Sequence, residues 1–200
     1  MKTNYDKVLD EIITKLNGRK PSILLHSCCA PCSTAVITRL KDYFDVTIFY
    51  YNPNIEPLEE YLKRKEEQKR IVSEFGIKFL DCDYENEKFK SMSKGLEDLP
   101  EGGYRCHKCY ELRLTKTAIT AKENNFLYFG TTLTVSPYKN SQVLNAIGKD
   151  IEELTKVKFL YSDFKKKEGY KLSIELSKKY NLYRQNYCGC IYSKKQSEQN

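Results

Sequence analysis

A chain of 200 residues with 34 Lys and Arg against 27 Asp and Glu, a net charge of +7, fits one domain spanning 1–200; a core of that size buries roughly 70% of the surface the unfolded chain exposes. The charge suits a polyanionic partner without demanding one, and the longest apolar runs, 22–25 and 46–51, fall far short of the roughly 20 residues that cross a bilayer. The first 18 residues mix acids and bases with spaced apolar positions and lack the apolar core of an export signal, which points to the cytoplasm, where eight cysteines read as metal ligands or redox groups and not as disulfide staples.

In chain order, Val8, Leu9, Ile12, Ile13 and Leu16 recur at helical spacing over 5–16, and Gly18 with Pro21 end that helix. Apolar strand-like runs follow at 22–26, 46–51, 77–82, 126–130 and 157–161. Between them, 34–44, 58–75, 110–123 and 142–154 carry apolar faces with charged opposite sides. This alternation predicts a Rossmann-like, doubly wound α/β fold, with a mostly parallel five-stranded sheet and helices on both faces. The stretch 83–103, with Gly95, Pro100, Gly102 and Gly103, breaks the rhythm and is expected to be a Cys-bearing insertion of helix and loop. A last helix is expected at 170–181, before the tail YRQNYCGCIYS. The helix at 58–75 balances Lys63, Arg64, Lys65, Lys69 and Arg70 with Glu59, Glu60, Glu66 and Glu67, which reads as solvent-facing.

In such sheets the functional crevice opens at the carboxyl ends of the strands. Cys28, Cys29 and Cys32 directly follow the first strand, and Cys106 with Cys109 stand just before the helix that leads into the fourth. Thr131, Thr132, Ser136, Ser162 and Asp163 follow later strands. The loop HSCCAPC, 26–32, sits where a nucleotide-binding relative would carry glycines, so close approach to a pyrophosphate is disfavoured. Adjacent cysteines plus Cys-x-x-Cys supply four soft sulfurs that suit zinc or an iron–sulfur cluster, and spacing does not separate the two. Cys82, in the alternating FLDCD, reads as a small buried hydrophobe, and His26 as a satisfied core histidine. Cys188 and Cys190 reach the crevice only if the tail folds back. As Cys-Gly-Cys they can store two electrons as a dithiol that closes into a strained disulfide, bind metal, or be incidental.

Taken together and in order, HSCCAPC, FYYNPNI, GGYRCHKCY, TTLTVSPYKN, SDFKKKEGY and YRQNYCGC resemble the QueH family of cobalamin-independent epoxyqueuosine reductases over nearly the whole chain. The resemblance implies reduction of epoxyqueuosine to queuosine at the tRNA wobble position. It also implies a [4Fe–4S] cluster on Cys28, Cys29, Cys106 and Cys109, a redox-active disulfide of Cys188 and Cys190, and an additional iron for which Cys32 and Asp163 are candidate ligands. Asp163, His107 and Tyr104 are candidate proton donors. Lys139, Asn140, Lys165, Lys166 and Arg184 are candidate contacts to tRNA; an electron donor is also required, and nothing suggests DNA. The competing readings are a zinc-stabilised RNA-binding module and an iron–sulfur reductase of a non-RNA substrate.

Overall fold

The computed structural model describes residues 2–198. Asn4 starts α1 (Tyr5–Leu16) by accepting the N–H groups of Asp6 and Lys7 on its side-chain oxygen, a cap that satisfies donors with no partner inside the helix. There follow β1 (Ser22–His26), α2 (Ala30–Leu40), β2 (Asp45–Phe49), α3 (Leu58–Glu74), β3 (Lys78–Leu80), α4 (Asn86–Ser93), α5 (Tyr104–Glu123) and β4 (Tyr128–Thr131). After a tight helical turn at Leu133–Val135 come α6 (Ser141–Thr155), β5 (Lys158–Phe159), α7 (Gly169–Lys179) and α8 (Ile191–Ser197).

The five strands lie in the order β3-β2-β1-β4-β5, and all four pairings are parallel. The expected doubly wound architecture is therefore present. Strand alternation divides the core in two. Ile23, Leu25, Val46 and Ile48 pack with Leu9, Val36, Ile37 and Ile71 from α1, α2 and α3. Leu24, Phe49, Phe129 and Phe159 face the other way, against Leu114, Ala118 and Leu144 from α5 and α6. α6 seats against β5 only because Gly148 lacks a side chain; a Cβ there would lie 2.4 Å from the Phe159 ring.

Strands β3 and β5 are shorter than the apolar runs suggested. Both are edge strands with one neighbour, and side chains take over their backbone groups early. Asp81 accepts the N–H of Cys82 at 2.7 Å, and Asn145 exchanges two 2.9 Å hydrogen bonds with the backbone of Ser162. Two helices begin earlier than expected. Pro31 sits in the first turn of α2, where its missing N–H costs nothing, so Cys32 is helical and not in a loop. Gly103 leads into α5 in an extended conformation, so Cys106 and Cys109 occupy the helix itself, three residues apart on one face.

The solvent-facing reading of the α3 charges holds for Glu59, Lys63, Glu66 and Arg70, which are exposed, and fails at Arg64, which is buried with Gln68. Gln68 accepts from Ser27 Oγ at 2.8 Å and donates to Ser33 Oγ at 2.8 Å, tying α3 to the segment that carries the first cysteines.

His26 is fully buried, with Nδ1 3.1 Å from Thr131 Oγ1 and Nε2 3.1 Å from the Tyr51 carbonyl. It is the core histidine the sequence suggested. Burial, reinforced by the Arg113 charge, pulls its pKa down to about 4. The unfolded chain protonates this imidazole near 6.5, so its contribution is complete above that pH and is lost as the pH falls toward 4. The expected loss is about 3 kcal/mol. Urea melts between pH 7 and 4 should show that slope, and His26→Asn should flatten it.

Candidate functional site

The strand order reverses direction between β1 and β4, and the crevice opens at their carboxyl ends. The backbone leaving β1 delivers Cys28 and Cys29, and α2 delivers Cys32 from its first turn. The three thiols converge, with all Sγ atoms within 4.8 Å of one another. Cys28 donates to Cys29 Sγ at 3.8 Å. Hydrogen bonds from Cys28 and Cys32 hold the Cys29 thiol well below its ordinary pKa, while donating pushes Cys32 well above. Cys29 is also the N-cap residue of α2, where the helix dipole favours a thiolate.

Cys106 packs against the apolar cluster that contains Cys28 and Cys29. One helical turn on, Cys109 packs with Cys190 and Phe89, and burial pushes its thiol up to about 12. The tail does fold back. Glu56 N–H donates to the Gly189 carbonyl at 2.9 Å, Arg64 Nη1 to the Cys188 carbonyl at 3.1 Å, and Tyr187 Oη to the Glu56 carbonyl at 3.4 Å. Ser93 and Tyr192 hydroxyls meet at 3.1 Å. Gly189 makes this path possible, since its φ is +126° and a Cβ would lie 2.9 Å from Ile55 Cγ1 and 3.0 Å from Arg64 Nη1. Among the described residues all eight cysteines are free thiols. Cys82 is only half-buried, its Sγ near the Asp83 carbonyl at 3.6 Å, outside the triad.

Cations surround the sulfurs. Lys139 is 8% exposed and its Nζ donates to Cys188 Sγ at 3.2 Å. Burial lowers its pKa, but the facing Cys188 and Tyr110 raise it further, leaving it well above the usual lysine value. Lys139 thus turns inward to a thiol instead of outward to RNA. Arg64, 1% exposed, pairs with Glu60 at 2.6 Å. Arg113, equally buried, donates Nε–H to the Cys109 carbonyl at 3.2 Å and stands 5.6 Å from the Tyr110 ring centre. Sequence reasoning missed both arginines as site residues.

The other candidates sit further out. Asp163 accepts from Ser141 Oγ at 3.1 Å and Lys165 Nζ at 2.8 Å, and among the described residues it does not join the cysteine triad. Asn140 caps α6 by accepting the N–H of Gln142 at 2.9 Å. Lys166 is exposed, and Arg184 donates to the Ser173 carbonyl and to Ser177 Oγ at 3.3 and 3.0 Å. The Lys165 backbone is fixed to the Thr134 carbonyl at 3.0 Å, which keeps 163–166 beside the turn after β4. Tyr138, in the loop just before Lys139, is 80% exposed, and Tyr104 at the start of α5 is 56% exposed. A cleft of about 500 Å³ between α3 and the tail, lined by Glu67, Arg70 and Tyr183, contains no cysteine.

Among solved structures, the U34-tRNA thiolase NcsA from Methanococcus maripaludis, determined with its [4Fe–4S] cluster, superposes with a TM-score of 0.57 at 13% identity, covering 94% of this chain and 67% of that one. That similarity speaks to the fold. The chain is 46% identical to the epoxyqueuosine reductase QueH of Staphylococcus epidermidis, over 96% of its own length and 85% of the relative's. It is 44% identical to the Streptococcus pyogenes protein of the same name, over 97% and 79%, and 39% identical to that of Thermotoga maritima, over 86% and 90%. The family model for epoxyqueuosine reductase QueH matches residues 23–196, a span that takes in the whole thiol-lined crevice, and the chain belongs to that family.

Proposed function

We propose that this protein catalyses the last step of queuosine formation, reducing epoxyqueuosine to queuosine at the wobble position of tRNA. The observation that carries the reading is the convergence of Cys28, Cys29 and Cys32 within 4.8 Å at the switch point of the sheet, with Cys106 packed on the apolar core cluster to which Cys28 and Cys29 belong and Cys109 beside Cys190. A purely structural zinc knuckle needs neither this number of sulfurs nor buried cations around them.

A soft, anionic donor set with Arg113 and Lys139 beside it fits an iron–sulfur centre. Cys28, Cys29, Cys106 and Cys109 would hold a [4Fe–4S] cluster, and Cys32 is available to an additional iron. Such a centre, when bound, supplies electrons one at a time and a Lewis-acidic iron. The chain's own residues account for the remaining stoichiometry. Opening the epoxide to an alkene takes two electrons and two protons and releases water. Closing Cys188 and Cys190 into a disulfide releases two electrons and two protons, and an external donor must then restore the thiols. Lys139, an ammonium whose Nζ donates to Cys188 Sγ at 3.2 Å, stabilises the thiolate form of that sulfur, and the two protons released on closing the disulfide are those that the leaving oxygen takes up as water. Lys165, Lys166 and Arg184 provide positive charge outside the crevice, and Tyr104 and Tyr138 provide exposed rings on which bases can stack.

The test is anaerobic reconstitution followed by assay on tRNA carrying epoxyqueuosine. A brown, iron- and sulfide-containing protein that yields queuosine supports the reading; a colourless protein with stoichiometric zinc and no turnover refutes it. For the RNA contact, Lys165→Ala with Lys166→Ala should weaken tRNA binding and reduce the slope of log K against log salt by about 1–2, as read by filter binding at several salt concentrations. An unchanged slope would make those lysines ordinary solvated charges.

A further inference from the structure

The three most deeply buried arginines differ in what answers their charge. Arg64 has the Glu60 carboxylate at 2.6 Å. Arg105 gathers the carbonyls of Leu96, Glu97 and Leu99 at 3.0, 2.7 and 2.6 Å, and so pins the loop before α5. Arg113 has one hydrogen bond among the described residues, from Nε to the Cys109 carbonyl; its Nη2 is buried without a hydrogen-bond partner, as are those of Arg64 and Arg105, but Arg113 alone of the three has neither a carboxylate nor a set of carbonyls to answer its charge. After burial, the groups that weigh most on its charge are Cys109, Cys188, Cys28 and Tyr110, and its described contacts, the Cys109 carbonyl and the Tyr110 ring, include no carboxylate. A guanidinium withdrawn from water at this depth carries a large desolvation cost unless negative charge faces it. Among the described residues the strongest such influence on Arg113 comes from sulfur.

We infer that Arg113 is the counter-charge of whatever anionic centre the thiols hold, a positioning residue that stabilises that centre's more negative, reduced state. The inference rests on the proposed iron–sulfur reading and adds to it a determinant of the reduction potential. Four thiolates give an iron–sulfur core a net negative charge, and each electron added makes it more negative by one. The fixed charge of Arg113 favours that addition, because net charge, hydrogen bonding and exposure set such potentials. Its location suits the task. Cys109 lies one turn earlier on α5 and its carbonyl accepts from Arg113 Nε, and Cys28 from the segment after β1 and Cys188 from the tail both weigh on the Arg113 charge. Its Nη2 is a buried donor without a hydrogen-bond partner among the described residues.

The experiment compares wild type, Arg113→Met and Arg113→Lys, each melted before reconstitution and titrated for midpoint potential after it. Before loading, Arg113→Met should melt at or above wild type, because it removes a buried charge that nothing in the bare fold pairs. After loading, its equilibrium constant for reduction should fall by about tenfold, roughly 59 mV for a one-electron couple, while Arg113→Lys should hold most of the wild-type potential. An unchanged potential in Arg113→Met overturns the inference. So does an unloaded Arg113→Met that fails to fold or melts far below wild type, since Arg113 would then serve the bare fold. Wild type that takes up no iron and sulfide would instead refute the functional reading itself, so the two failures are distinct.

Discussion

Cys109→Ala should lose cluster iron on anaerobic reconstitution and should lower turnover of epoxyqueuosine-tRNA by about 10⁴-fold, the scale on which removing one member of a concerted catalytic unit acts. The fold should survive. Cys109 is a small buried side chain on α5 packed with Phe89 and Cys190, and trimming it to alanine removes a single sulfur, a cost of about 1 kcal/mol. Iron and sulfide analysis beside a thermal melt separates lost metal from lost fold. Cys106→Ala should behave alike, since Cys106 lies on the same face three residues earlier. Cys190→Ala should part company with them, keeping its iron and slowing turnover only where the dithiol must be recycled. Equal iron loss in all three would place Cys190 among the ligands and remove it from the proposed two-electron store.

Gly189→Ala is expected to have the next-largest effect on turnover, without touching a sulfur. A methyl group at this position meets Ile55 Cγ1 at 2.9 Å and Arg64 Nη1 at 3.0 Å, on a backbone whose φ of +126° L-residues rarely adopt. The tail must therefore lift, breaking the bonds from Glu56 N–H to the Gly189 carbonyl and from Arg64 to the Cys188 carbonyl. Cys188 then leaves Lys139, and Cys190 leaves Cys109. We expect turnover at least about 10²-fold slower, the penalty for misplacing a reacting group by about 1 Å, with iron content retained on Cys28, Cys29, Cys106 and Cys109. Faster alkylation of Cys190, buried in the folded protein, would report the detached tail. A variant with wild-type turnover and a protected Cys190 would show that the loop accommodates the methyl group.

The sheet was legible because its central strands are continuous apolar runs bounded by breakers, and α1 was legible to the residue because Asn4 and Gly18 bracket a clean helical period. The starts of α2 and α5 were not, because Pro31 and Gly103 punctuate loops as often as they open helices. That matters for the site: it turned a presumed loop cysteine, Cys32, into a first-turn residue whose thiol meets Cys28 and Cys29. The buried arginines were illegible for another reason. Arg64 stands in a run of alternating charges that reads as a wet surface, and its burial depends on Tyr187 and Cys188 arriving from more than a hundred residues away. Lys139 likewise reads as a rim cation until the folded tail sets a sulfur in front of it.

The order in which the basin's walls are made has a bearing on its assembly. β1 is central, yet its neighbour β4 comes a hundred residues later, and the strap carrying Cys188 and Cys190 is among the last described segments to leave the ribosome. A nascent polypeptide thus carries its first three thiols into the cell before Arg113, Lys139 or the strap exist to enclose them. Until those walls are in place the early sulfurs lie open to oxidation and alkylation, which the closed crevice then limits by burying Cys28 and Cys29.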